Sequence, residues 1–279
     1  MKRVVWIDVA KALAIWLVVM GHVCQWRFPE AGKWLANIIY TFHMPLFLFL
    51  SGLFAKKAIE AADEDHVVDY MMKKCRQLLL PFMVWMLLWC GIKRDSPMLF
   101  LEGGFIYWYL LTLFEFLMLF CCLRLLSNMF KIKDKLFPLV LLFSAFMLYC
   151  IPTSSHLGIF LRIYYSSYFY LFFVLGFLFD RYVLMNKQIT PPRLFPVSKG
   201  KMVLQLISVG QETLGIYLLH FYFVLLIPKG LDVIFKSYPK LDYLIFCSLI
   251  SVFITFLCTR IVLFMKRYKM IRMIFFGII

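Results

Sequence analysis

The sequence predicts an all-α protein, a polytopic transmembrane helical bundle of about eight helices, and three observations carry that prediction. Of the 279 residues, 63% are hydrophobic and only 16% are charged, with a mean hydropathy of +0.85. A soluble domain carries about 45–50% apolar and about 25% charged residues, so one globule cannot hide this much apolar surface and lipid must solvate part of it. Apolar runs long enough to cross a bilayer recur along the whole chain, and Lys and Arg gather between them, dense and sparse in alternation. Phe, Trp and Tyr make up 19% of the chain, a composition suited to bilayer interfaces and to helix contacts in lipid.

About 20 apolar residues cross ~30 Å of hydrocarbon. The candidate spans are residues 4–25, 36–55, 77–92, 104–124, 135–152, 161–180, 206–227 and 241–265. Backbone groups in lipid are satisfied within a segment only by helices, so each run is expected to be helical. The first run is longer than the apolar core of a signal peptide, is interrupted by Asp8 and Lys11, and has no small-x-small cleavage site, so it reads as a retained helix. The third run is short and needs tilt or snorkelling flanks. Between the second and third runs, residues 56–76 hold Lys56, Lys57, Lys73, Lys74 and Arg76 around the acidic stretch Asp63-Glu64-Asp65. Residues 181–201 contain Pro191, Pro192 and Pro196 and read as a loop. No internal repeat is evident, and the whole chain, 1–279, is expected to be one membrane domain.

Basic residues are abundant in alternate connections and scarce in the others, where Arg27, Lys33, Arg94 and Arg162 are representative. The positive-inside rule therefore predicts that both termini are cytoplasmic. The net charge of +15 does not point to nucleic acid, because the basic residues sit between apolar runs and form neither a face nor a tail. The eight Cys lie mostly inside apolar runs with no C-x-x-C pair, so neither a zinc site nor a disulfide framework is expected, and no metal is called for.

Ionisable groups within spans are costly and default to functional hypotheses. Asp8, Lys11 and His22 share one face of the first helix, since the intervals of three and eleven residues both return to nearly the same angle. With a rise of ~1.5 Å per residue, His22 stands roughly 21 Å beyond Asp8 along the axis. By the same topology His22, His43 and His220 all fall in the outer half of the bilayer, Glu115 near the middle of the fourth span, and Glu212 in the inner part of the seventh. Each also has a plainer reading. The histidines can hydrogen-bond a neighbouring helix, and Asp8 with Lys11 can form an i,i+3 ion pair at a helix end. Lys73, Lys74 and Arg76 can be simple anchors, Tyr107, Trp108 and Tyr109 interfacial aromatics, and His66 and His156 solvated loop residues.

Five short motifs in order resemble those of the acyltransferase-3 family: Trp6-Ile7-Asp8-Val9-Ala10-Lys11 with Met20-Gly21-His22; Phe42-His43-Met44-Pro45-Leu46-Phe47 with Leu50-Ser51-Gly52; Lys73-Lys74-Cys75-Arg76-Gln77-Leu78-Leu79-Leu80-Pro81; Trp108-Tyr109-Leu110; and Ile216-Tyr217-Leu218-Leu219-His220. The resemblance covers essentially the whole chain. It implies a membrane-embedded O-acyltransferase, most often an O-acetyltransferase, of a bacterial inner membrane. Such an enzyme takes an acyl group from cytoplasmic acetyl-CoA or another acyl-CoA to a hydroxyl of an extracytoplasmic or lipid-linked glycan. On that reading Lys11, Lys73, Lys74 and Arg76 meet the CoA phosphates, and His22 is a general base or covalent acyl carrier. His43 or Glu115 orients it or stabilises charge, with His43 ranked first because its depth matches. Asp8, Trp108, Glu212 and His220 belong to the same motifs.

The chain departs from the family pattern in several places. Lys11 stands where Arg is usual, Lys73-x-x-Arg76 replaces an Arg-x-x-Arg pair, and Glu212-Thr213 replaces Asn-Ser. Lysine keeps the charge and loses the bidentate fork. Two helices common in the family are not evident between Arg181 and Lys201, and no appended hydrolase-like domain is expected. The competing function on the same scaffold is a glycan or small-solute exporter, in which the buried His and Glu relay protons or touch substrate.

Overall fold

The structure, a computed structural model, describes residues 5–64, 66–93, 106–151, 163–184, 200–235 and 240–278, and all regular structure among them is helical. The helices are α1 (Val5–Arg27), α2 (Lys33–Gly52), α3 (Lys56–Asp63), α4 (Val67–Lys74), α5 (Leu80–Lys93), α6 (Trp108–Met129) and α7 (Phe137–Cys150). They continue as α8 (Ile163–Phe179), α9 (Lys201–Gln211), α10 (Thr213–Leu226), α11 (Leu231–Phe235), α12 (Lys240–Met265) and α13 (Lys269–Phe276).

Each of the eight expected apolar runs forms a helix, but they are not equivalent. Among the described residues six stretches are long and apolar enough to cross a membrane, and the pair α9–α10, bent by 85° at its break, is a seventh if its two halves form one span. The fifth expected span, α7, has only 14 residues. The third is longer than expected. A π-helical turn, Cys75–Leu79, joins α4 to α5, so helix runs continuously over Val67–Ile92 and carries Lys73, Lys74 and Arg76 within it. The Pro-containing stretch 185–199, with the place of the two helices not evident in the sequence, and His156 lie outside the described residues.

The described residues pack as two compact units, Met1–Phe47 with Pro192–Tyr268, and Leu48–Pro191 with Lys269–Ile279. In the first, α1 is the central helix and packs on α9, α10 and α12. Its buried face is Ala12, Ala14, Ile15, Val18, Val19 and Val23. Close approach is possible because Gly210 of α9 lies against the backbone of Asp8, where a Cβ would collide with the Asp8 carbonyl. Arg27, at the end of α1, closes the C-terminus of α10: Nε donates to the Val224 carbonyl at 2.7 Å and Nη2 to that of Leu225 at 2.5 Å. These carbonyls lie in the last turn of α10, where Val224 otherwise receives only the Ile227 amide of the cap, and a cation is the favoured group there. Asp232 accepts from the Glu30 and Ala31 amides at 3.2 Å each and so fastens the turn after α1. In α12, the buried Ser251, Thr255 and Thr259 each donate to the carbonyl four residues earlier, which satisfies a hydroxyl in an apolar setting without an outside partner.

In the second unit two glycines let backbones touch. A Cβ on Gly52 would meet the Phe173 carbonyl, and one on Gly176 would meet that of Phe49, so the end of α2 and the middle of α8 lie backbone to backbone. The short α13 folds onto α5. Trp85 Nε1 donates to the Phe275 carbonyl at 2.9 Å, and Gly277, at φ +62°, lies against the carbonyl of Arg76. That left-handed backbone with no room for a Cβ is why glycine stands there.

Candidate active site

Helix α1 places His22 one turn before Gln25, and α2 places Tyr40 one turn before His43. An i,i+3 interval puts each pair on one side of its helix. The Tyr40 hydroxyl lies 3.1 Å from His22 Nδ1 and donates to Gln25 Oε1 at 2.5 Å. Gly21 makes this possible. Its Cα faces Tyr40 and Ile39 so closely that a Cβ would stand 3.1 Å from the Tyr40 ring. The Gly-His motif of the first span therefore seats the phenol beside the imidazole.

From α10, His220 stacks on His22 with ring centroids 5.3 Å apart and planes inclined by 28°. Phe221 packs on both imidazoles, at 4.5 Å from His22 and 4.1 Å from His220. His43 closes the group through Tyr40, with ring centroids 4.8 Å apart. His22, His43 and His220, which sequence reasoning assigned to one depth, are thus gathered around Tyr40 and Phe221 in the first unit. His22 is partly exposed, whereas His43 and His220 are buried.

The hydrogen bonds decide which ring nitrogen carries the proton. His43 Nδ1 lies 2.9 Å from the Ile39 carbonyl, and His220 Nδ1 lies 3.0 Å from that of Ile216. A carbonyl only accepts, so in both rings Nδ1 is the N–H and Nε2 keeps its lone pair. In His220 that Nε2 is buried and has no hydrogen-bond partner among the described residues. For His22 the position of the proton is set by Tyr40. Its one hydroxyl proton is directed to Gln25, so the phenol oxygen accepts from His22 Nδ1–H and the Nε2 lone pair of His22 is left over.

The other residues singled out from the sequence divide between the two units. Asp8 and Lys11 lie within reach of each other's charge on α1. Glu212 stands at the break between α9 and α10 and forms an ion pair with Lys266, both groups being largely buried. In the second unit Lys73 and Arg76 are exposed, while Lys74 is partly covered by the Tyr70 ring at 5.4 Å. Trp108 stacks on Phe169 with centroids 5.3 Å apart, and Glu115 lies partly buried on α6. Two motifs far apart in the chain meet there, since Ser51 Oγ and the Tyr109 hydroxyl are 2.7 Å apart. His66 is exposed, as expected. Among the described residues no group of three or more His, Cys, Asp or Glu is arranged to hold a metal ion, and all eight cysteines are free thiols.

Sequence reasoning missed Tyr40 and Gln25. Their signal was present: each stands three residues from a histidine already singled out, on the same face of its helix. It also missed Arg124, which is 8% exposed near the end of α6 and holds Asp63 through two hydrogen bonds of 2.6 and 3.1 Å.

A bundle of apolar helices with an imidazole cluster seated on its first, second and tenth helices defines a multi-pass membrane protein with a polar site among its spans. The chain belongs to the acyltransferase-3 family: the family profile, described as an acyltransferase domain, matches residues 4–200. It is similar to nodulation protein NolL of Sinorhizobium fredii, 30% identical over 199 residues that make up 64% of this chain and 49% of that protein. It is also similar to nodulation protein NolL of Mesorhizobium japonicum, 36% identical over 83 residues, 28% of this chain and 21% of that one. The chain therefore spans half or less of the length of these relatives. No solved structure matches.

Proposed function

We propose that this protein is an O-acyltransferase of a bacterial inner membrane that moves an acyl group, in the first instance acetyl, from cytoplasmic acyl-CoA to a hydroxyl of an extracytoplasmic or lipid-linked glycan. The family supports the reaction class. The observation that carries the mechanism is the hydrogen bond from His22 to Tyr40, which leaves His22 Nε2 as a base on a partly exposed ring. In this reading the acceptor hydroxyl gives its proton to Nε2 as its oxygen attacks the thioester carbonyl. The tetrahedral adduct then collapses, the C–S bond breaks, and the proton returns from Nε2 to the departing CoA sulfur. Tyr40 keeps Nδ1–H occupied throughout and stabilises the imidazolium between the two transfers. His43, or in second place Glu115, orients His22 or stabilises charge, and His220 adds to the wall of this site. Lys11, Lys73, Lys74 and Arg76 are the cations proposed for the CoA phosphates. Asp8, Trp108 and Glu212 complete the motif set in supporting positions. The distribution of Lys and Arg supports both termini on the cytoplasmic side.

The test is acyl transfer to cell-surface glycan, read by mass analysis of that glycan from cells with and without the protein. With His22→Ala the acylated product should fall by about 10²–10⁴-fold, the usual worth of a general base, while the protein inserts at its normal level. Undiminished product in that variant rejects the mechanism. Incubation of purified protein with acyl-CoA alone, followed by peptide mass analysis, separates the base role from a covalent one, because only a covalent carrier acquires the acyl mass at His22.

A further inference from the structure

Helices α3, α6 and α8 bring their ends together around a cavity of about 320 Å³ in the second unit. Its lining is ionic, with Glu60, Asp63, Asp134 and Asp180 facing Lys56, Arg124 and Arg181. Most of these charges are already paired. Arg124 grips Asp63 with two hydrogen bonds and is also ion-paired with Asp134. Lys56 pairs with Glu60 at 3.0 Å across one helical turn, with both side chains nearly half exposed. Asp180 is different. It is 5% exposed, it lines the cavity, and among the described residues its carboxylate makes neither a hydrogen bond nor an ion pair, although the Lys56 charge acts on it through space. Its sequence neighbour Arg181 is half-buried, with the Tyr182 ring 5.9 Å from its guanidinium and the Asp63 carboxylate within reach of its charge.

A buried carboxylate without a donor is expensive, and a cavity beside it invites a ligand that brings one. The position narrows the choice. Asp180 opens the π-helical turn Asp180–Leu184 that closes the apolar span Ser167–Leu184, and Arg124 lies in the last turns of α6, so the cavity sits at the last turn of these spans, at the edge of the headgroup region. The charge balance narrows it further. Four carboxylates against three cations, one of the cations held by two carboxylates, is wrong for a nucleotide or any polyanion and right for a zwitterion. Phe177 and Ile59 supply an apolar wall on the same cavity.

We infer that this cavity is a headgroup site for a phospholipid bearing a primary ammonium, phosphatidylethanolamine in a bacterial membrane. The ammonium donates to Asp180 while the phosphate lies against Arg181 and Lys56. The recognising chemistry is an N–H donor set a few bonds from a phosphate, which soluble phosphoethanolamine also carries; the apolar wall and the depth favour the lipid.

Native mass spectrometry of the purified full chain, after exposure to mixed micelles with equal amounts of phosphatidylethanolamine, phosphatidylcholine and phosphatidylglycerol, reads the preference directly. Retained phosphatidylethanolamine should exceed phosphatidylcholine by about tenfold, as loss of one charge-assisted hydrogen bond implies. Asp180→Asn should abolish that ratio, and Arg181→Gln should lower both lipids alike. A series of mono- and dimethylated ethanolamine headgroups on the unaltered protein gives the same answer without a variant, since retention should fall as N–H donors are removed. Equal retention of phosphatidylethanolamine and phosphatidylcholine, or a preference that survives Asp180→Asn in folded protein, overturns the site. Displacement of the lipid by millimolar phosphoethanolamine overturns its assignment to the membrane.

Discussion

Removing the Tyr40 hydroxyl while keeping its ring separates proton placement from packing. In Tyr40→Phe the aromatic contact with His43 survives, but His22 Nδ1–H loses its acceptor and the proton is free to move to Nε2. Acyl transfer should drop by about tenfold, the scale of one hydrogen bond of this kind. In ¹⁵N-histidine spectra of the purified protein, the His22 signal should shift from the Nδ1–H form toward a mixture of tautomers. A merely structural Tyr40 would alter stability without moving that signal. Gln25→Ala should cost less, because Gln25 is exposed and water can replace its carbonyl as the acceptor from Tyr40. His22 and His43 were readable as candidates from the sequence because ionisable groups are rare in apolar runs. Tyr40 was hidden, since a tyrosine in a chain with 15 of them carries no such contrast.

At the scale of helices, glycine at position 210 tests whether contact or propensity controls α9. In an exposed helix interior, Gly→Ala stabilises by about 0.8–1 kcal/mol. Here the added Cβ would be driven into the Asp8 carbonyl, so Gly210→Ala should instead destabilise by about 1–3 kcal/mol, the usual cost of overpacking. The thermal midpoint of the protein in detergent checks the sign. Gly91, whose Cβ would meet nothing within 4 Å, is the control and should gain stability on the same change. Close by, the expected and observed elements differ. Residues 206–227 read as one uniform apolar span, yet the chain breaks there and turns by 85°. Hydropathy averages over a window and is blind to direction, so a break between two apolar halves leaves no trace in it. The basic segment before the third span was misjudged for a related reason. Lys73, Lys74 and Arg76 lower the local hydropathy, but their stems are compatible with helix and the π-helical turn carries the backbone through.

For the molecule as a whole, the parity of crossings is a measurable consequence of the proposed topology. On that topology the six long spans, the bent pair and the 14-residue α7 would each cross once, and the chain would return to the side on which it began. A fluorescent protein that matures only in the cytoplasm should therefore glow when fused at either terminus, and a phosphatase active only outside should be silent at both. Activity of the phosphatase at one end alone would mean that α7 or the bent pair does not cross. The loop charges argue for the even count, since basic and poor connections alternate through the expected spans.

Composition alone determined that lipid is a solvent for this chain, because a 63% hydrophobic sequence with long apolar runs has no other way to satisfy both its side chains and its backbone. The five motifs pointed to the family, and the expected common depth of the three histidines followed from helical rise and loop charge. The tertiary structure decided what one-dimensional patterns do not encode. It turned the expected seventh span at Glu212, seated Tyr40 against Gly21 so that His22 holds its proton on Nδ1, and left Asp180 buried beside a cavity with no hydrogen bond among the described residues. Those outcomes depend on which residues far apart in the chain share a contact, and hydropathy and periodicity report only on neighbours along a single helix.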